Sequence, residues 1–296
     1  MGFEQCHPAV NLLFFVPVIA ASAAFSAPVC ILISFVCAFA YSVKRNGRRA
    51  VVFNSVLILL SALFALYYSS YTHFGVTVLG KNFIGNNITL ESIVYGAATG
   101  FRLSAVIMWF SCMFSVFSSD KVVYLFGRAS PRLSLFLTVL LRTVPKIKKD
   151  AGKINGARRG IGRGSGQRGF FGRIRDLVSV FSATVTKTIE SFATSSGSMR
   201  SRGSALKGRR SFSLYRFDNR DRAYVVAMFA AAAVTCSGAV LGYCRMLYDP
   251  KIVSPQITPA AVMTYAAYFV FCLMPLALDL FIGYRFRKAR EKCFEI

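Results

Sequence analysis

Long uncharged, mostly apolar stretches recur along this chain, at 8–43, 50–80, 103–119, 223–244 and 260–278. About 20 consecutive apolar residues cross a bilayer core, and soluble proteins seldom carry runs of this length. The pattern predicts a polytopic helical membrane protein. The first stretch has 36 residues. As one helix it would extend about 54 Å at 1.5 Å per residue, against a hydrocarbon core of about 30 Å. It must break, and Ser26-Ala27-Pro28 is the natural point, because proline disfavours helix at the residue before it. The expected spans are therefore about 9–25, 28–43, 50–70, 91–118, 223–246 and 260–284. Merging the first two into one crossing stays open.

Charge then orients the spans. Lys44-Arg45-Asn46-Gly47-Arg48-Arg49 forms a tight basic loop, which the positive-inside rule places in the cytoplasm. The 71–90 loop carries only Lys81 among Lys and Arg, plus His73, and fits the outside. The tail returns inside with Arg285, Arg287, Lys288, Arg290 and Lys292. Six spans with both termini cytoplasmic put every basic segment on one side. If 8–43 were one crossing, the N-terminus would lie outside. No Lys or Arg precedes Lys44, so the first apolar run lacks the basic start of a secretory signal and is expected to be retained.

The basic residues concentrate between Asp120 and Arg222, where 23 of the 36 Lys and Arg fall, with six acids. The chain thus reads as three regions: membrane spans over 1–119, a cytoplasmic or interfacial block over 120–222, and membrane spans with a basic tail over 223–296. A net charge of +24 points to an anionic lipid surface, an acidic protein or nucleic acid. Aromatic residues are few in the block and its arginines gather at helix ends, which argues against nucleic acid and leaves anionic lipid as one expected partner.

Within the block, Pro131 opens a helix. Leu133, Phe136, Leu137, Leu140, Leu141 and Val144 form an apolar stripe, and Pro145 is expected to kink it. This helix runs to Ala157-Arg158-Arg159-Gly160. A second helix, from about 172 to 200, carries the stripe Leu177, Phe181, Val185, Ile189, Phe192 and Met199, with Ser and Thr on its other faces. Both stripes read as packing surfaces, against each other or the membrane. The second helix ends in Ser198-Met199-Arg200-Ser201-Arg202-Gly203. Cations near a helix C-terminus and a glycine just beyond it are favourable in themselves. The feature beyond ordinary termination is its occurrence twice in one cytoplasmic block. The glycine-rich stretch between the helices contains Gly164-x-Gly166-x-x-Gly169. That spacing matches a dinucleotide fingerprint but lacks the preceding strand the fingerprint requires.

The ending Ser198–Gly203 resembles the second Ala-Arg-Gly-type motif of the transmembrane T component of energy-coupling factor (ECF) transporters. Leu141-Arg142-Thr143-Val144-Pro145, the 157–162 region and Tyr215-Arg216-Phe217-Asp218 resemble the same family. So do His7-Pro8-Ala9-Val10-Asn11 and Thr89-Leu90-Glu91-Ser92-Ile93, and the resemblance covers essentially the whole chain. It implies an all-α polytopic membrane protein with about six transmembrane helices and long amphipathic cytoplasmic coupling helices. It further implies a non-catalytic scaffold that couples two cytoplasmic ATPases to a small substrate-binding membrane subunit for vitamin or metal uptake. The coupling residues so implied are Met199, Arg200, Ser201, Arg202 and Gly203, with Ala157, Arg158, Arg159 and Gly160 at the first end. That first end departs from the triplet. It reads either as Ala157-Arg158-Arg159-Gly160 with an extra arginine, or as Gly160-Ile161-Gly162 with Ile161 in the arginine place.

The alternative is a self-contained secondary transporter or channel, which needs ionisable groups within the membrane. Arg102 and Asp279 are the candidates, at roughly 16 Å and 28 Å from the outer ends of their spans by helical rise. Arg102 bonds either to a neighbouring helix or to another subunit. The eight cysteines form no CxxC pair and mostly lie in apolar runs, so neither disulfide nor metal is inferred. Without a His-centred constellation or paired carboxylates, no enzymatic centre or cofactor is expected.

Overall fold

A computed structural model describes residues 2–72, 75–81, 87–162, 169–204, 206, 215, 217–248, 252–255 and 258–294. The chain divides into two compact units, Met1–Ser118 with Tyr215–Ile296, and Ser119–Leu214. The first unit holds α1 (Pro8–Ala24), α2 (Pro28–Asn46), α3 (Arg48–Tyr71), α4 (Leu90–Val116), α8 (Asn219–Val240) and α9 (Pro259–Phe294). The second holds α5 (Ser119–Ala129), α6 (Pro131–Gly160) and α7 (Phe170–Ser201).

Five of these helices, α2, α3, α4, α8 and α9, are long and apolar enough to cross a membrane, and α1 is a shorter apolar helix. The protein is a helical, multi-pass membrane protein. Its helices start where local chemistry allows. Pro8 and Pro28 occupy first helical positions, where the missing N–H costs nothing. The Thr89 side chain accepts from the Ser92 N–H to cap α4. The expected break at Ser26-Ala27-Pro28 separates α1 from α2.

Three elements differ from the sequence reading. The loop before α4 contains a two-stranded antiparallel hairpin, Val78–Lys81 with Asn87–Thr89. A short helix, α5, precedes Pro131. The helix α8 stops at Val240, short of 246, where Gly242 at φ +86° closes it, its N–H donating to the Ala239 carbonyl at 3.2 Å and the Tyr243 N–H to the Gly238 carbonyl at 3.1 Å. The chain beyond pairs with the α1–α2 corner. At that corner the Cys244 carbonyl accepts from the Ser26 and Ala27 N–H groups, both at 3.1 Å. The Tyr248 hydroxyl donates to the Ser26 carbonyl at 2.8 Å.

The opposite face of this unit is tied by charge. The Phe3 N–H donates to Asp279 Oδ1 at 2.6 Å. Glu4 pairs with Arg45 at 2.6 Å, and Arg45 Nε donates to Ser115 Oγ at 3.3 Å. The N-terminal turn, the basic end of α2, the end of α4 and the Asp279 region of α9 therefore share one face. The ends of α1 are bound to opposite faces of the unit, although it has only 17 residues.

Between the faces lies an aromatic core. Phe3, Phe14, Phe15 and Trp109 are fully buried and meet edge to face at centroid distances of 5.3–6.4 Å, a favoured arrangement for aromatic pairs. Trp109 Nε1 donates to Ser34 Oγ at 3.0 Å, so its polar edge is satisfied.

The most extensive helix packing in this unit is between α3 and α4. The buried stripe Ser92, Gly96, Gly100 and Ser104 of α4 has a small residue every fourth position. Small residues let membrane helices approach closely where no hydrophobic force drives them together. A Cβ at Gly100 would stand 2.8 Å from the Ser61 carbonyl oxygen, and one at Gly96 3.0 Å from that of Ala65. The flanking serines bond across, Ser104 to the Leu57 carbonyl at 3.3 Å and Ser92 to the Thr72 carbonyl at 2.8 Å.

Candidate functional site

The basic unit is organised by α6 and α7. Chain order and side-chain pairing make them antiparallel neighbours. Lys146 donates to Ser191, Lys187 pairs with Asp150 at 3.1 Å, and Arg158 pairs with Asp176 at 3.1 Å while also donating to Ser179. On α6 these residues fall at i, i+4 and i+12, and on α7 at matching steps in reverse, so one stripe of each helix faces the other. Pro145 is accommodated within α6, which continues through it to Gly160.

An antiparallel pair puts the two helix C-termini at opposite ends. Arg202 and Gly203 line a groove of about 840 Å³ together with Ser134 and Leu135 of the first α6 turns. Ile161, at the other end, is about 40 Å away along α6 at 1.5 Å per residue. The groove between carries Arg142, Lys146 and several hydroxyls, including Thr188 and Ser195.

The two ends share a backbone design. At α7, Arg202 is the C-cap residue and Gly203 follows at φ +77°. The Gly203 N–H donates to the Arg200 carbonyl at 3.0 Å and the Ser204 N–H to the Met199 carbonyl at 3.1 Å. This is a Schellman termination, whose left-handed residue is normally glycine because a Cβ disfavours that conformation. At α6, Ile161 is the C-cap residue, Gly162 follows at φ +74°, and its N–H donates to the Arg159 carbonyl at 3.1 Å. Aligned by cap geometry, Gly162 matches Gly203, Ile161 matches Arg202 and Arg159 matches Arg200. Of the two registers open in the sequence, this backbone match corresponds to Gly160-Ile161-Gly162.

The side chains at the two ends differ accordingly. Arg200, Ser201 and Arg202 are exposed, Met199 and Gly203 half-buried. Among the described residues neither Arg200 nor Arg202 makes an ion pair. Ala157, Arg159 and Gly160 are exposed, and Ile161 is 71% exposed. Arg158 is instead committed to Asp176 and Ser179 and acts as a strut between α6 and α7. Sequence reasoning grouped Arg158 with the exposed end and missed Asp176 as its partner. The signal was Lys146, Asp150 and Arg158 falling on one helical face.

Arg158→Ala is expected to loosen the pair by on the order of 1–3 kcal/mol, since it removes a charged hydrogen-bond partner from a buried carboxylate. Hydrogen exchange on the whole chain should show faster amide exchange over 170–179. Protection unchanged from the native chain would rule out the strut.

The apolar stripe of α7 is not a packed surface within its own unit. Leu177, Phe181 and Ile189 are 67%, 71% and 63% exposed. Only Asp176 and Thr184 are buried on this helix. Exposed apolar bands of this kind are uncommon on the surface of a soluble unit.

Of the two ionisable groups inside the spans, Asp279 is satisfied by the Phe3 N–H. Arg102, half-buried on α4, makes no hydrogen bond or ion pair among the described residues, and its charge acts on the Tyr248 hydroxyl. The two do not pair with one another. The glycine fingerprint spacing lies almost entirely outside the described residues, as do His73, Lys207, Arg209, Arg210 and Arg216. Compared with models of known protein families and with curated proteins, the chain matches none.

Proposed function

We propose that this protein is the transmembrane scaffold of an ATP-driven micronutrient transporter of the energy-coupling factor type, located in a bacterial cell membrane. It crosses the membrane six times with both termini in the cytoplasm, α1 being the shortest crossing. It holds two cytoplasmic ATPases and a small substrate-binding membrane subunit, and takes no part in catalysis itself. The observation that carries this reading is the pair of matching helix terminations about 40 Å apart by helical rise at opposite ends of one antiparallel pair. Two separated and similarly built ends suit contact with two copies of one partner.

The physical mechanism follows from the end chemistry. A guanidinium gives directional, bidentate contact with carboxylates. The Schellman turn holds Arg202 outward at a helix C-terminus, where its charge is favoured. An acidic cleft on each ATPase would receive one end. Closure of the ATPases on ATP would shift the two ends relative to each other. The motion passes to the membrane unit through the chain connections at 118–119 and 214–215. The exposed apolar face of α7 supports contact with the substrate-binding subunit, and the surrounding cations support anchoring to anionic lipid.

The two ends are not equal on this reading. Ile161 stands where Arg202 stands, so the first end lacks the capping charge and relies on Arg159. Arg159→Ala should lower ATPase retention less than Arg202→Ala, and equal losses would contradict the alignment of the two ends.

Arg102 supports a membrane partner as well. An arginine at mid-span depth is costly without a countercharge, and none is supplied by the described residues. Arg102→Glu is expected to abolish retention of the substrate-binding subunit while ATPase retention persists, read by co-purification from membranes. Retention of all subunits would assign Arg102 no role in assembly.

Reconstitution tests the function as a whole. Uptake into proteoliposomes should require this chain, both ATPases, the substrate-binding subunit and ATP. Uptake by this chain alone would favour the secondary transporter or channel.

A further inference from the structure

The chain leaves the membrane unit after Ser118 and re-enters it at Tyr215. Both junctions are held by one short segment, the turn Phe3–Gln5 and the two residues after it. At the first junction Glu4 pairs with Arg45 at 2.6 Å. Arg45 in turn reaches the last turn of α4, with Nε donating to Ser115 Oγ and Nη2 to the Ser115 carbonyl, each at 3.3 Å. Ser115 Oγ donates onward to Asn46 Oδ1 at 2.8 Å. Phe117, the C-cap residue of α4, meets Phe15 of α1 at 6.4 Å.

At the second junction the ring of His7 meets that of Phe217 edge to face at 5.5 Å. His7 is 5% exposed. Its ring is fixed from the other side, because Nδ1 accepts from the Ala9 N–H at 3.2 Å and so caps α1. Further along, Tyr224 of α8 meets Phe3 at 5.7 Å. The segment is also anchored to α9, where the Phe3 N–H donates to Asp279 Oδ1 at 2.6 Å. A Cβ on Gly2 would stand 2.7 Å from that same oxygen.

These links can set a position and still release. The side chains of the Glu4–Arg45 pair are 43% and 26% exposed, and ion pairs open to solvent are weak. Phe217 is 45% exposed. Local opening of such contacts leaves a buried core intact, and the core here is the Phe14, Phe15 and Trp109 cluster.

We propose that residues 3–7 form a clasp that joins the two junctions, with Glu4 and His7 as its positioning residues. Displacement of one junction passes through the turn to the other. The clasp itself follows from the contacts of the membrane unit, and only its part in transport rests on the proposed function. There, motion of the basic unit enters the membrane unit at both junctions together and reaches α9 through Asp279.

Hydrogen exchange on the purified, detergent-solubilised whole chain, read by mass spectrometry, tests the connection. Glu4→Gln removes the charge that holds Arg45 and leaves the His7–Phe217 contact in place. It is expected to speed amide exchange at 114–119 and also at 217–224, by roughly two- to fivefold, the scale that a partly exposed ion pair supplies. Phe217→Ala, made at the second junction, should in turn speed exchange at 114–119. Glu4→Asp, which keeps the charge, should fall between Glu4→Gln and the native chain. Trp109 emission should stay native in all three. A variant that loosens only its own junction, or neither, overturns the clasp and leaves the contacts as local packing. Faster exchange throughout the membrane unit with shifted Trp109 emission overturns it too, since the turn would then be part of the core. The measurement needs no partner, so it separates the two readings. A chain that shows the effect across junctions but retains no ATPase would contradict the scaffold and leave the clasp standing.

Discussion

Arg202→Ala is expected to weaken retention of the ATPase subunits by roughly 30-fold or more, with ATP-driven uptake falling in step. Truncating one partner of a hydrogen-bonded charge pair at an interface costs about 2–5 kcal/mol, and each 1.4 kcal/mol is about tenfold in affinity. The loss should be specific to the interface. Arg202 is exposed and makes no ion pair among the described residues, so removing it should leave the α6–α7 pairing and the thermal transition unchanged. Arg202→Lys keeps the charge but loses the planar fork, and should restore only part of the affinity. Gly203→Ala acts differently. At φ +77° a Cβ costs roughly 1–2 kcal/mol of backbone strain, so this change should fray the last turn and misplace Arg202 while its charge remains. A Gly203→Ala protein with native ATPase affinity would show that the cap does not position the arginine. Affinity measured at rising salt should fall only modestly if the contact is buried on binding, and steeply if it is a surface attraction.

Gly100→Leu is expected to give the largest loss of stability in the membrane unit. The Ser61 carbonyl oxygen would lie 2.8 Å from even the first added carbon, and a backbone oxygen cannot turn aside like a side chain. Overpacking costs about 1–3 kcal/mol in general, and this position should fall at the upper end. Separation of α3 from α4 also endangers the Ser104–Leu57 and Ser92–Thr72 bonds. The chain's single tryptophan, Trp109, lies fully buried on α4 and is a built-in probe. Its emission should shift to longer wavelength in the variant, and the thermal transition should move down. Gly152→Leu is the control, since a side chain there meets nothing within 4 Å. A Gly100→Leu protein with native emission and stability would show that the α3–α4 contact is looser than described.

The long apolar helices were legible because a bilayer demands long apolar runs, and Pro28 forces a break in the longest. Their ends were less so. The stop of α8 at Val240 is set by the turn at Gly242, but a glycine within an apolar run does not by itself mark a helix end. The stripe Ser92, Gly96, Gly100 and Ser104 hides inside an apolar run, because its meaning depends on a partner backbone that sequence does not show. The exposed arginine end at Arg202 was legible from cations beside a glycine. Arg158 was not separable from Arg159 in sequence, because adjacent residues on a helix point 100° apart and only the position of α7 decides which one is held. The α7 stripe was correctly apolar, but periodicity cannot distinguish an internal packing face from one left open for a partner. Ile161 shows the converse. Its place in the cap is set by backbone bonds, and composition alone draws attention to the arginines beside it.

The most direct test is co-purification of the tagged whole chain from native membranes, with the subunit stoichiometry determined by native mass spectrometry. The scaffold reading predicts two ATPase subunits and one small membrane subunit per chain. It also predicts that Arg202→Glu loses the ATPases and keeps the small membrane subunit. A chain that purifies without ATPases, and moves solute by itself when reconstituted, would contradict it.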